Sequence, residues 1–157
     1  MESSPAAVDS SLTVTRETTA DRSRVWDVIA DGWTYSQWVV GNTRMRAVDP
    51  HWPAPGSRIH HTIGIWPVAL NDETVVESCT PQEELVLLAK GRPLAAARIT
   101  LRLFDTPTGS GIEMAEVPAG GPLNWVPRRL ALAAVYPRNL ECTRRLVALA
   151  ERREEPT

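Results

Sequence analysis

Two adjacent histidines, His60 and His61, and a glutamate at the end of an apolar alternation, Glu116, are the residues of this chain best suited to moving protons. Neighbours on an extended strand point to opposite faces, so His60 and His61 cannot share a metal ion without a bulge, and no metal site is expected. By the same alternation His61 sides with Ile59, Ile63 and Ile65. On that apolar face an imidazole can act as acid or base toward a bound carbonyl compound, or sit hydrogen-bonded in the core. Glu116 follows Ile112 and Met114 on one strand face. If the strand persists, the carboxylate points inward and desolvation makes it a proton acceptor; if the strand stops near Ala115, Glu116 is exposed. His61 and Glu116 are therefore the candidate catalytic residues.

Tyr136 lies one turn before Leu140 in a helical segment, which places it on the inner face, its ring lining a pocket and its hydroxyl toward a ligand oxygen. Trp26, Trp33, Trp38, Trp52, Trp66 and Trp125 are many for a small domain, and several flank loops that would surround a pocket mouth. Cys79 and Cys142 match neither a CxxC motif nor a disulfide framework and read as reduced, buried thiols. Neither a nucleophile turn nor a glycine-rich phosphate loop is present, so no cofactor is expected.

The elements that must position these residues follow from hydrophobic period. Residues Leu12 to Thr18 alternate as a half-buried strand. Asp21 can cap a helix whose apolar side is Val25, Val28 and Ile29, ending at Gly32 in a left-handed C-terminal position. A turn bearing Trp38 leads to a strand over Thr43 to Val48, and three prolines stiffen the loop Asp49 to Gly56. Further strands are expected from Ile59 to about Trp66, over Glu73 to Cys79, Leu85 to Ala89 and Ala95 to Phe104, and in the return through Ile112 and Met114. Asn71-Asp72 supplies turn chemistry before the second of these. Glu113 is expected within reach of Arg98 or Arg102. From Pro122 to about Arg153 the period is helical, with Leu130, Ala133, Leu140, Thr143, Val147 and Ala150 on one side and Arg138, Glu141, Arg145 and Arg152 opposite. Pro137 predicts a kink or a restart, the better helix running from Pro137 to Arg153.

A chain of 157 residues with 43% hydrophobic content fits one domain with one core. The expected division is a disordered tail over 1–10, a single domain over 11–153 and a short tail over 154–157. Seventeen basic residues are interspersed among nineteen acidic ones, giving a net charge of -2, which argues against nucleic acid as a partner. No window approaches eighteen uninterrupted apolar residues and the first ten lack a signal-peptide pattern, so no membrane span and a cytoplasmic location are expected. A strand, two short helices, six more antiparallel strands and a long helix make an α+β layout, in which a curved sheet of about seven strands covers its apolar face with the last helix.

That order resembles the polyketide cyclase/dehydrase branch of the START-like (SRPBCC) superfamily. The likeness is carried by Val25-Trp26 in the first helix, Trp38 after it, the Pro55-Gly56-Ser57-Arg58-Ile59-His60 step, Arg138-Asn139-Leu140, and Leu146 to Glu151. It implies a helix-grip fold over about residues 11 to 153. Superfamily members include lipid carriers, hormone receptors, aromatase/cyclases, oxygenase subunits and co-chaperones, so the fold does not choose a chemistry. The leading expectation is a binding protein whose cavity, lined by Ile63, Ile65, Ile99, Leu101, Met114, Tyr136 and Leu140, holds a small hydrophobic, lipid-like or polyketide-like molecule. Alternatives are a polyketide cyclase or dehydratase using His61 and Glu116 in the same cavity, and a protein-interaction module with a collapsed cavity and an exposed tryptophan surface.

Overall fold

The computed structural model of the chain describes residues 13–64, 67–91, 96–121 and 125–152. Ile65, Trp66 and the expected tails over 1–10 and 154–157 lie outside the described residues. The elements are β1 (Thr13–Thr18), α1 (Arg22–Ala30), a single 3-10 turn (Gly32–Thr34), α2 (Tyr35–Trp38), β2 (Asn42–Val48), β3 (Arg58–Ile63), β4 (Leu70–Thr80), β5 (Glu84–Ala89), β6 (Ala96–Thr106), β7 (Gly109–Gly120) and α3 (Arg128–Arg152).

The seven strands form one antiparallel sheet in the order β1-β7-β6-β5-β4-β3-β2. Strands consecutive in the chain are neighbours, except that β1 pairs with β7. β1 and β2 are thus the two edges, and the α1–α2 segment runs from one to the other. α3 packs chiefly on α1, α2, β1 and β7. Alternation sends Ile59, Val76, Leu85, Leu87, Ile99, Leu101, Ile112 and Met114 to the face beneath α3, where all are buried. Cys142, Leu146, Val147 and Ala150 supply the helix side of this core. The opposite face carries ion pairs, among them Arg98 with Glu77, Arg102 with Glu84 and, at 3.8 Å, Arg102 with Glu113. Such solvated pairs contribute little stability individually.

Five local expectations are corrected. Asn71 and Asp72 are not a turn but lie inside β4, because Asp72 is buried and its Oδ2 accepts the Gly91 N–H at 2.8 Å. Cys79 is only half-buried. α3 neither restarts nor breaks at Pro137. Proline leaves the carbonyl four residues back without its helical partner, but Ala133 and Pro137 are both exposed, so water can take that bond. The helix face is also misassigned before Pro137: Leu130 is 63% exposed and Ala133 is exposed, whereas Arg138, expected outward, turns in.

The fifth correction concerns Gly32, which is not left-handed. α1 ends at Ala30 with extended Asp31 as its cap, and the Asp31 carboxylate accepts the Trp33 N–H to begin the 3-10 turn. Glycine is needed there for space: a Cβ would lie 2.7 Å from Val48 Cγ1, 3.1 Å from Trp52 Cδ1 and 3.2 Å from Ile59 Cγ2. Trp52 is held in place by its indole N–H, which donates to the Ile29 carbonyl at 3.2 Å. Gly32→Ala is therefore expected to lower stability by about 1–3 kcal/mol through overpacking. A urea midpoint equal to that of the parent chain would show that the three side chains retreat freely.

Candidate interior site

Under α3 the concave sheet face changes character along its strands. The register aligns Leu85, Leu101, Met114 and Val14 in one row across β5, β6, β7 and β1, and Val76, Leu87, Ile99 and Glu116 in the next, across β4 to β7. In the row after that, Thr74 pairs with Ala89 and Ala89 with Ala97. Side-chain volume drops there from leucine and isoleucine to alanine, and polar residues enter: Thr74, and beside it Asp72 and His61, which are register partners on β4 and β3. Alanine side chains at this row reach less far from the sheet than the Leu and Ile of the row before it.

His61 is 3% exposed and faces inward with Ile59. Its Nε2 lies 2.9 Å from Thr74 Oγ1, which is 3.4 Å from the Tyr35 hydroxyl. Tyr35, at the start of α2, also sets its ring 5.4 Å from the imidazole and 5.3 Å from Trp38. Burial pushes the Tyr35 phenol up to about 12, outweighing the hydrogen bond with Thr74, so it keeps its proton. Burial likewise lowers the His61 pKa below the usual imidazole range; the Asp72 charge pulls the other way and is outweighed, with Arg46 and His60 adding to the lowering. The imidazole is therefore neutral at pH 7.

Its stability consequence has a definite sign. Above pH 6.5, the ordinary imidazole value, folded and unfolded chains both carry a neutral ring. Below it the unfolded chain binds a proton that folded His61 refuses, so stability falls until the lowered folded pKa is reached, by up to about 1.4 kcal/mol per pH unit. The buttressed carboxylates Glu73, Glu77 and Glu141, all lowered by their basic partners, lose their contribution only further down, below 4.5. Urea midpoints at pH 7 and pH 5.5 are expected to differ in the parent chain and to draw together in His61→Phe. An undiminished difference in the variant would assign the acid sensitivity elsewhere.

Glu116 stands within β7, which continues to Gly120, and its side chain is 12% exposed. It does not stand alone as the sequence suggested: Arg138 Nη1 of α3 donates to its Oε2 at 2.9 Å. The same guanidinium donates through Nε to the Val40 carbonyl at 3.1 Å and through Nη1 to Asn139 Oδ1 at 3.3 Å. Burial acts against the Arg138 charge, yet Glu116, with Cys142 and Tyr35, keeps its pKa raised. The neighbouring Cys142 thiol is fully buried, raised by that burial, and accepts the Val40 N–H at 3.3 Å. Nearer the C-terminal half of α3, Arg16 of β1 donates to Thr143 Oγ1 and the Leu140 carbonyl, both at 3.2 Å. The helix is thus fastened from Arg138 onward.

Of the residues expected to line a cavity, Ile99, Leu101 and Met114 are buried on the concave face, Ile63 and Leu140 are half-buried, and Ile65 lies outside the described residues. Tyr136 is corrected: it is 44% exposed, two residues before the fastened part of α3. Trp26 and Trp38 are core residues, while Trp33 and Trp125 are exposed. His61 and Glu116 share the interior, but no hydrogen bond joins them among the described residues; Tyr35, whose ring is 5.4 Å from that of His61, feels the charges of Arg138 and Glu116. Sequence reading missed Tyr35, Asp72, Thr74, Arg138 and Asn139. Asp72 and Thr74 were within reach of it, since they alternate with Val76 once β4 is started early enough. Among the described residues no cluster of three or more His, Cys, Asp or Glu side chains is arranged to hold a metal ion, and no helix is long and apolar enough to cross a membrane.

No protein-family model and no curated protein sequence matches the chain. Solved structures do. A Nitrosomonas europaea protein shares 16% identity at a TM-score of 0.71, over 94% of this chain and 99% of that one. The di-domain ARO/CYC StfQ from the steffimycin biosynthetic pathway shares 11% at 0.70, over 90% of this chain and 50% of the other. Ara h 8.0201 shares 8% at 0.70, over 89% and 96%. The architecture is the α+β helix-grip: an antiparallel curved sheet closed by a long C-terminal helix. These likenesses show the fold alone, and it is the helix-grip layout that the sequence reading expected.

Proposed function

We propose that the protein binds a small hydrophobic, lipid-like or polyketide-like molecule between the sheet and α3. The observation that carries this reading is the step from Leu87 and Ile99 to Ala89 and Ala97 on the concave face, next to buried polar groups. An apolar space with a few convergent polar groups is the usual form of a small-molecule site. Apolar Leu130, Val126 and Trp125, exposed just before the fastened part of α3, fit the rim of such a site. Burial at about 25 cal/mol per Å² of apolar surface supplies the affinity.

The test uses N-phenyl-1-naphthylamine, a neutral fluorophore that brightens on leaving water. Saturable one-to-one binding with Kd of about 1–100 µM is expected for an aromatic probe of this size. Absence of saturable binding would favour the interaction-module reading.

A second reading, a cyclase or dehydratase, draws on the Tyr35–Thr74–His61 hydrogen-bond chain and on the likeness to an ARO/CYC domain. In it His61 exchanges protons with the bound carbonyl compound, while Glu116, already paired with Arg138, orients the helix instead of accepting protons. His61→Ala would then abolish turnover of a poly-carbonyl substrate and leave its binding nearly intact. Loss of both together would count against catalysis by His61.

A further inference from the structure

Apart from Trp33, the large apolar side chains exposed among the described residues gather at one end of the molecule. Trp125 is 92% and Val68 70% exposed, and Leu70, Val126, Leu130 and Tyr136 accompany them. The register shows that they share an end. Ile63 pairs with both Asn42 and Leu70, so β2 begins, β3 ends and β4 begins together. Thr74, Ala89, Ala97 and Pro118 form one row, so β5 and β7 end and β6 begins on that same side. The start of α3 lies there too. Glu151 meets Thr18, the register partner of Ser110 near the start of β7, whereas Arg138 meets Glu116 near its end. Residues 128–137 therefore continue past Glu116 toward Gly120, where β7 stops. Along α3 the solvent side changes accordingly, from exposed Leu130, Ala133, Ala134 and Pro137 to the ion-paired Glu141, Arg144 and Arg145.

Charge divides the molecule the same way. The connections at this end, residues 39–41, 64–69, 90–95 and 121–127, contain no Asp or Glu, whereas those at the opposite end carry Asp21, Asp49 and Glu83. No acidic residue occurs between Glu116 and Glu141, while Arg128, Arg129 and Arg138 do. Of the acids nearby, Asp72 and Glu116 are turned inward and Glu73 is held by Lys90. Arg44 and Arg129 are exposed. A chain of net charge -2 thus presents one cationic, apolar end.

We propose that this end docks on an anionic phospholipid surface. Tryptophan and tyrosine beside arginine suit the headgroup zone, and each arginine near such a surface adds to the attraction. Apolar tips on separate connections can each enter a fluid interface without matching its shape. A stable protein interface instead recruits roughly 20–30 residues a side in complementary relief, more than these few side chains supply. A second copy packed on the same patch would bring arginines together without an acidic partner. Such docking goes beyond the binding reading and does not depend on what the interior holds.

The experiment is co-sedimentation of the full chain with sucrose-loaded vesicles of phosphatidylcholine, alone or mixed equally with phosphatidylglycerol. Binding to the mixed vesicles is expected to be at least about tenfold tighter, and most of that preference to vanish at about 0.5 M salt. Leu130→Glu and Trp125→Ala are each expected to weaken it about tenfold. Both side chains are exposed, so urea midpoints equal to that of the parent chain are expected and show that the variants fold. Arg129→Glu is expected to remove the preference for the anionic vesicle and leave weak binding to phosphatidylcholine. Equal binding of the parent chain to both vesicles, or binding untouched by all three substitutions, would overturn the docking surface. Pelleting with neither vesicle would overturn it in favour of a protein partner. A dimer in light scattering that Leu130→Glu dissolves would overturn it in favour of a second copy. None of these results bears on the interior, which titration with N-phenyl-1-naphthylamine reads separately.

Discussion

Ala89→Phe is expected to weaken N-phenyl-1-naphthylamine binding about a hundredfold while changing stability by less than about 1 kcal/mol. A phenyl group on β5 at this position would rise from the lowest row of the concave face, between Thr74 and Ala97. If it occupies space that otherwise takes about 100 Å² of ligand surface, about 2.5 kcal/mol of binding is lost, close to two decades in Kd. The stability measurement separates this from a packed core. Where the row is filled, the extra ring forces neighbours aside and costs about 1–3 kcal/mol, as argued for Gly32. Where it is open, the ring gains contacts and the cost vanishes. Fluorescence titration and urea unfolding on one sample answer both questions, and a strongly destabilised variant would mean that no ligand space exists at this row.

Different physical signals account for what could be read from the chain and what could not. The strands were legible because each carries its own alternation: Ala97, Ile99, Leu101 and Leu103 on one face of β6 and Arg98 and Arg102 on the other need no partner to be recognised. The inward placement of His61 followed from the same rule, and that of Glu116 was decided only by β7 running past Ala115 to Gly120. Buried polar residues were not legible, because a polar side chain enters a core only when a distant residue satisfies it. Thr74 is tied to His61 and Tyr35, and Arg138 to Glu116, all far from one another in sequence. Asp72 was read as a turn former since Asn-Asp pairs favour turns; the Gly91 N–H that holds it in β4 is invisible in a local window. The helix showed the converse error. Leu130 and Ala133 continue the apolar stripe of α3 by spacing alone, but the sheet does not meet that part of the stripe, and both are exposed. Periodicity reports which residues share a face, and tertiary contact decides whether that face is covered.

The Arg138–Glu116 pair turns this into an energetic expectation. Arg138→Met is expected to cost about 3 kcal/mol and to lower Tm by roughly 10 °C. Three acceptors lose their donor together: the Glu116 carboxylate, the Val40 carbonyl and the Asn139 amide oxygen. The carboxylate dominates, since its side chain is almost wholly buried and would hold a charge with no counter-ion. Arg138→Met combined with Glu116→Leu removes that stranded charge, and two apolar groups of similar reach are expected to restore most of the loss. The double-variant cycle therefore distinguishes a buried pair from a surface one. A single-variant cost below about 0.5 kcal/mol would place both groups in water, where an ion pair is worth little. A large cost that the second substitution fails to relieve would instead put the weight on the Val40 carbonyl, and thus on the contact between α2 and α3, with the ion pair secondary.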